Sequence, residues 1–188
     1  MATSEVSICN EALISLGEDT IISLTDNTKR ARTCNALYAS KRDSLLRSHP
    51  WKFAIRRVSL AADAATPLNE FDAQFSLPSD CLRFLDIYPG SGQVPYRLEG
   101  QKILASESEL EIKYIQQITD VTKMDMSFRE ALSALMAREM VVPLVNSDSK
   151  LRAMAELFEM KIGEARFVGA IEDDLYTIEA EEWLLARE

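Results

Sequence analysis

Histidine is almost missing from this chain: His49 is the one example among 188 residues. Serine and cysteine nucleophiles need a base beside them, and the neighbours of His49, Ser48 and Pro50, build no triad. A zinc site is equally short of ligands, because the three cysteines Cys9, Cys34 and Cys81 are odd in number, far apart and form no CxxC pair. They read as reduced structural residues, with Cys9 and Cys34 acting as small hydrophobes on helix stripes. No phosphate-binding glycine loop and no GxGxxG, HExxH or GxSxG run is present. Bases are also scarce, 21 against 30 acids for a net charge of -9, which argues against sequence-general binding of nucleic acid. No apolar run approaches the roughly 18 residues of a membrane span. The opening MATSEVSICNEAL lacks the basic start and apolar block of a secretory signal, so synthesis in the cytoplasm is expected. These absences leave no constellation that satisfies a catalytic site, no cofactor and no metal, and the chain is expected not to be an enzyme.

What is present is periodic apolar sequence. Ser4 is placed to cap a first helix whose Val6, Cys9, Leu13 and Leu16 share a face, and Gly17 suits its end. Asp26 or Asn27 is expected to cap a second helix, from about Thr28 to Ser48, with Ala31, Cys34, Tyr38 and Leu45 turned inward. Its other residues are unusually basic: Lys29, Arg30, Arg32, Lys41, Arg42 and Arg47. Pro50 stops it and biases His49 to extended backbone, where the imidazole suits the helix C-terminus. Trp51 and Phe53, just beyond, are expected to fill a junction, or else to reach a subunit interface.

From residue 53 to about 119 the period changes to two. Residues 84–88, 96–99, 102–104 and 110–115 alternate, and PGSGQ, EGQ and SESE break them, as in short antiparallel strands. Leu110, Ile112 and Tyr114 are expected on one face. The Ala-rich stretch at 61–74 reads as a long loop. Helical pattern returns after Asp120. Ser127 with Glu130 reads as a capping box for an apolar third helix, which Pro143 kinks or ends. The turn NSDS leads to a fourth helix, about Lys150 to Phe167, with Leu151, Met154, Leu157, Phe158, Ile162 and Ala165 inward. The final residues, 171–188, carry seven acids and one base, and so six of the nine net negative charges. Adjacent pairs such as Asp173-Asp174 and Glu181-Glu182 point apart on a helix and read as solvated. Tyr176, Ile178, Trp183, Leu184 and Leu185 lie among these acids, which suits a segment that packs on its own body or docks on another chain.

The expected architecture is α+β but mainly α: a four-helix bundle-like core with an inserted small antiparallel β part and an extended C-terminal tail. Its parts are residues 1–52 and 121–170 for the two halves of the bundle, 53–120 for the β-rich insert with its long loop, and 171–188 for the acidic tail.

Four stretches carry a family resemblance. They are ICNEALISLGEDTIISLTD, ARTCNALYASKRDSLLRSHPWKFAIRRVSLA, FSLPSDCLRFLDIY and LEIKYIQQITDVTKMDMSFREALSALMARE. In pattern and order they resemble the head-to-tail adaptor proteins of tailed bacteriophages, of the tail tubular protein A type found in short-tailed phages. The run RD-LL-R-HPW-FA-R is the most specific part. The resemblance implies a structural virion protein of the neck, a connector without enzymatic activity. It implies a homo-oligomeric ring, dodecameric in that family, between the portal protein and the tail nozzle protein. DNA would pass through the lumen during packaging and ejection without specific binding, and no membrane is involved. On this reading Arg30, Arg32, Arg42, Arg47 and Trp51 are candidates for the subunit interface, where a basic helix meets acids of the next copy. Tyr176, Ile178, Trp183, Leu184 and Leu185 are candidates for a portal-docking tail. The alternative expectation is a cytosolic, non-enzymatic binding or regulatory module that holds a partner peptide on amphipathic helices.

Overall fold

The computed structural model describes residues 4–68, 70–88 and 94–171. The expected turn at 89–93 lies outside them, as does the acidic segment after Ile171. Helix α1 spans Glu5–Leu16. Ser4 and Ser7 cap it reciprocally, each hydroxyl accepting the other's amide at 2.9 and 3.1 Å. Gly17 ends it at φ 75°, a left-handed conformation that costs a residue with a side chain about 1–2 kcal/mol. The link to the next helix is held by Asn10, whose side chain accepts from the Ile21 amide at 2.8 Å and donates to the Ile21 carbonyl at 2.9 Å.

Helix α2 spans Lys29–Ser48, and its cap is Thr28, which accepts from the Ala31 amide. Asp26, one of the two expected caps, is used earlier: it accepts from the Ile22 and Ser23 amides and turns the link. The third and fourth helices are α3, Met126–Met140, and α4, Asp148–Ile171. Asp125 caps α3 by accepting from the Ser127 amide at 2.8 Å, so the expected Ser127 cap falls inside the helix. Pro143 sits in a wide π-type turn, Val141–Val145, that ends at Asn146 with φ 52°. Proline cannot donate to the ordinary helical ladder, and the wider turn accommodates it. At both ends α4 is longer than its periodicity suggested. None of the described helices is long and apolar enough to cross a membrane.

Among the described residues six strands form two antiparallel sheets of three. They are β1 Ile55–Ala61, β2 Ala73–Ser76, β3 Cys81–Tyr88, β4 Tyr96–Glu99, β5 Lys102–Ala105 and β6 Glu109–Gln116. One sheet has the order β1-β6-β3 and the other β2-β5-β4. The EGQ turn joins β4 to β5, with Gly100 at φ 60°. Strands β1 and β2 flank the long loop; two arginines and a serine on β1 hid its alternation.

These sheets overturn the expectation of a helical bundle core with a small β insert. The described residues are 51% helical and 22% strand, a mixed fold with two cores. Phe75, Ile87, Val94, Ile103, Ala105, Leu110, Ile112 and Tyr114 make one core between the sheets. The other surrounds α3, where Ile8, Leu13, Leu16, Leu46, Phe128, Leu132 and Met136 are all at most 1% exposed. Helices α1, α2 and α4 pack chiefly on α3 and far less on one another, and α4 places only Ile162 and Ala165 fully inside. The physical reason is that α3 is apolar on most sides, so it serves as a hub. The fourth side of that hub is closed partly by sheet residues, including Ile115. Strand β6 thus faces both ways: Leu110, Ile112 and Tyr114 serve the sheet core, and Ile115 the helical one.

Candidate subunit interface and the junction cleft

The basic residues of α2 do not form one free surface. Arg30 pairs with Glu18 at 3.1 Å and Asp19 at 3.0 Å, clamping the helix start to the link. Arg32 faces solvent and donates to Asn27 Oδ1 at 2.7 Å. Arg42 is buried; it pairs with Asp43 at 2.8 Å, lies 3.9 Å from Glu5, and stacks over the Tyr38 ring. Lys41 meets Glu139 of α3 at 2.6 Å. Burial works against the Glu139 carboxylate, but hydrogen bonds from Lys41 and Arg138 hold its pKa below the ordinary value. Arg47 is exposed and donates to the Leu82 carbonyl at 2.6 Å, and Arg83 donates back to the Arg47 carbonyl at 3.3 Å, tying α2 to β3. Of the four arginines, Arg32 and Arg47 are exposed. They stand about 22 Å apart along the helix.

Trp51 is 5% exposed and belongs to the interior. Its indole nitrogen donates to the Leu45 carbonyl at 3.0 Å. Its ring lies edge-on to Phe128 at 5.0 Å and to His49 at 4.9 Å, and is stacked 6.3 Å from Phe53. Phe53 and Phe128 are a further edge-on pair at 5.1 Å. This cluster forms because Pro50 stops α2, His49 takes an extended conformation, and the turn Lys52–Ala54 carries the rings onto the start of α3. Such contacts add about 0.5–1.5 kcal/mol each to the burial of the rings. Tyr176, Ile178, Trp183, Leu184 and Leu185 lie outside the described residues.

A polar tie secures the other side of the junction. Asp80 accepts from Tyr114 Oη at 3.1 Å and from Gln116 Nε2 at 2.7 Å. Burial and that bond push the Tyr114 hydroxyl up to about 12. Cys9 and Cys34 adjoin inside the helical core, where Cys34 also contacts Met140 sulfur at 3.4 Å. The hydrogen bond between the thiols and their burial push Cys9 well above its usual range. Cys81 is half-buried, and burial beside Asp80 raises its thiol as well. Among the described residues no group of three His, Cys, Asp or Glu side chains is arranged to hold a metal.

Two features escaped the sequence reading. Met160, Phe167 and Ile171 are 52%, 67% and 67% exposed. Their spacing puts them within about 40° of one another around α4, roughly opposite Phe158, Ile162 and Ala165. The spacing of seven and four was visible in the sequence, but a helix ended at Phe167 does not complete it. The second feature is a cleft of about 360 Å³ between the last turns of α4 and the aromatic turn after α2. Ala165, Val168 and Gly169 line one side, with Trp51, Lys52, Phe53, Ile55 and Lys113 opposite. Its walls come from segments over a hundred residues apart in sequence, and no local pattern announces it. No protein-family model matches this sequence, and no curated protein is significantly similar to it.

Proposed function

We propose that the protein is a head-to-tail connector of a bacteriophage particle, a non-enzymatic subunit that closes with copies of itself into a ring between portal and tail nozzle. The observation that carries this reading is where the resembling stretches fall. They build most of α1 and its link, most of α2 with the His49–Ala54 turn and β1, the end of β2 and all of β3, and most of β6 and α3 with the passage between them. They are therefore the frame that joins the helical layer to the sheets, and not scattered surface. The most specific run, RD-LL-R-HPW-FA-R, supplies the buried Trp51 and the half-buried Phe53 of that joint, which meet Phe128.

Two further features support the reading. The apolar stripe of Met160, Phe167 and Ile171 gives α4 a second face on which a neighbouring copy would pack, with Arg32 and Arg47 as exposed charges elsewhere on the subunit. The net charge of -9 disfavours adhesion to phosphates, which suits a channel that DNA must slide through. The acidic segment 172–188 would engage the portal in the assembled particle.

The test is the mass of the full chain alone and after mixing with the portal protein from the same genome. A connector is monomeric or weakly associated alone and becomes a ring on the portal. A small complex of fixed stoichiometry that ignores portal overturns the proposal in favour of a regulatory binding module. Phe167→Asp is expected to abolish ring formation while leaving the monomer folded, because the residue is exposed.

A further inference from the structure

We propose that the junction cleft is the seat of the chain's own C-terminal segment, residues 172–188, in the free subunit. Position is the first reason. The described part of α4 runs to Ile171, immediately after Ala170 of the cleft wall, so the segment begins at the cleft rim. Its 17 residues would extend over about 25 Å as a helix and over twice that as extended chain, ample to turn back across the opening.

Charge is the second reason. Among the described residues, Lys52 and Lys113 line the cleft, together with His49 and one acid, Asp125. Lys113 is flanked across the sheet by Arg57 on β1 and Asp86 on β3. The described lining thus carries two lysines against one acid, and the segment that starts at its edge has seven acids and one base. Apolar content is the third. The cleft offers Trp51, Phe53, Ile55 and Val168, while the segment brings Tyr176, Ile178, Trp183, Leu184 and Leu185. An acidic chain without those side chains would match the lysines and leave the rings uncovered. Tethering gives the chain's own segment an effective concentration in the millimolar range, which free partners do not reach.

This inference does not depend on the connector reading, and its test uses the full chain without portal. Hydrogen exchange followed by mass spectrometry should show the amides of residues 175–185 exchanging at least tenfold more slowly than in an unstructured reference peptide, at every protein concentration. Lys52→Glu with Lys113→Glu should return them to the reference rate. Glu181→Lys with Glu182→Lys should do the same while leaving every residue of the cleft wall unaltered, so the test survives if the first pair disturbs folding. Reference rates in the unaltered chain overturn the proposal, as does protection that both charge reversals leave intact. Protection that grows with concentration also overturns it, and assigns the cleft to the segment of a second copy.

Discussion

The helical layer and the paired sheets bury their apolar residues by opposite means. In the helical layer one element, α3, is apolar nearly all round, and three helices gather on it. Between the sheets no strand dominates: Phe75 comes from β2, Ile87 from β3, Ile103 from β5 and Ile112 from β6. A hub concentrates stability in a few positions, whereas two facing sheets spread it over many short strands whose contacts are distant in sequence. The regions are nevertheless linked, because β6 contributes to both cores and Asp80 holds Tyr114 and Gln116 of β6 at the start of β3.

The sharpest way to break this comparison is to hollow each core. Phe128→Ala and Phe75→Ala each remove a fully buried ring and should lower the unfolding free energy by about 3–5 kcal/mol. Urea unfolding would be followed by Trp51 fluorescence, in a Trp183→Phe background, and by circular dichroism. The shared strand predicts coincident transitions in both variants. If Phe75→Ala shifts the circular dichroism midpoint and leaves the fluorescence midpoint in place, the regions are independent units.

A smaller effect is expected at the end of α1. Gly17→Ala forces a side chain into φ 75° and should cost about 1–2 kcal/mol, read as a lower urea midpoint at unchanged slope. The methyl itself meets only Lys150 Nζ, at 3.4 Å, so the backbone and not crowding sets the cost.

Next comes the cap of the hub. Asp125→Ala should cost about 1 kcal/mol at neutral pH. The bond from Ser127 holds the Asp125 carboxyl below its ordinary 3.8. Its contribution is therefore complete above that pH and is lost as acid titrates the folded carboxyl. The gap between the unaltered chain and the variant should close as pH falls below 3.8. A gap that widens on acidification contradicts this account.

The smallest effect belongs to the sheet surface. Arg97 meets Glu70 at 2.9 Å, but both side chains are more than half exposed. Arg97→Ala should change stability by no more than about 0.5 kcal/mol, which thermal melting in low and high salt would check.

Legibility in the sequence followed the range of the interactions involved. The faces of α1, α2 and α3 could be read because helical neighbours lie three or four residues apart. The β4–β5 hairpin could be read because its turn is local. Caps were read less well: Ser4 was found, but Thr28 and Asp125 were each passed over for a nearby residue with equal capping chemistry. The candidate interface suffered most. A row of arginines on α2 looks like one basic surface, yet Arg42 is buried against Tyr38 and Asp43, and Arg30 is spent on Glu18 and Asp19. Which charges stay exposed depends on partners elsewhere in the chain, such as Glu139 for Lys41.

Sequence alone determined the order of the four helices and of strands β3 to β6, the stop at Pro50, the apolar character of α3 and the acidity of the last residues, since each depends on neighbours within a few positions. The tertiary structure decided that there are two cores and not one, that Trp51 faces inward, and that the turns of α4 around Ala165 to Ala170 overhang the aromatic turn to make a cleft. Those outcomes depend on how separately formed surfaces meet, and packing between residues far apart in the chain leaves no periodic trace in their order.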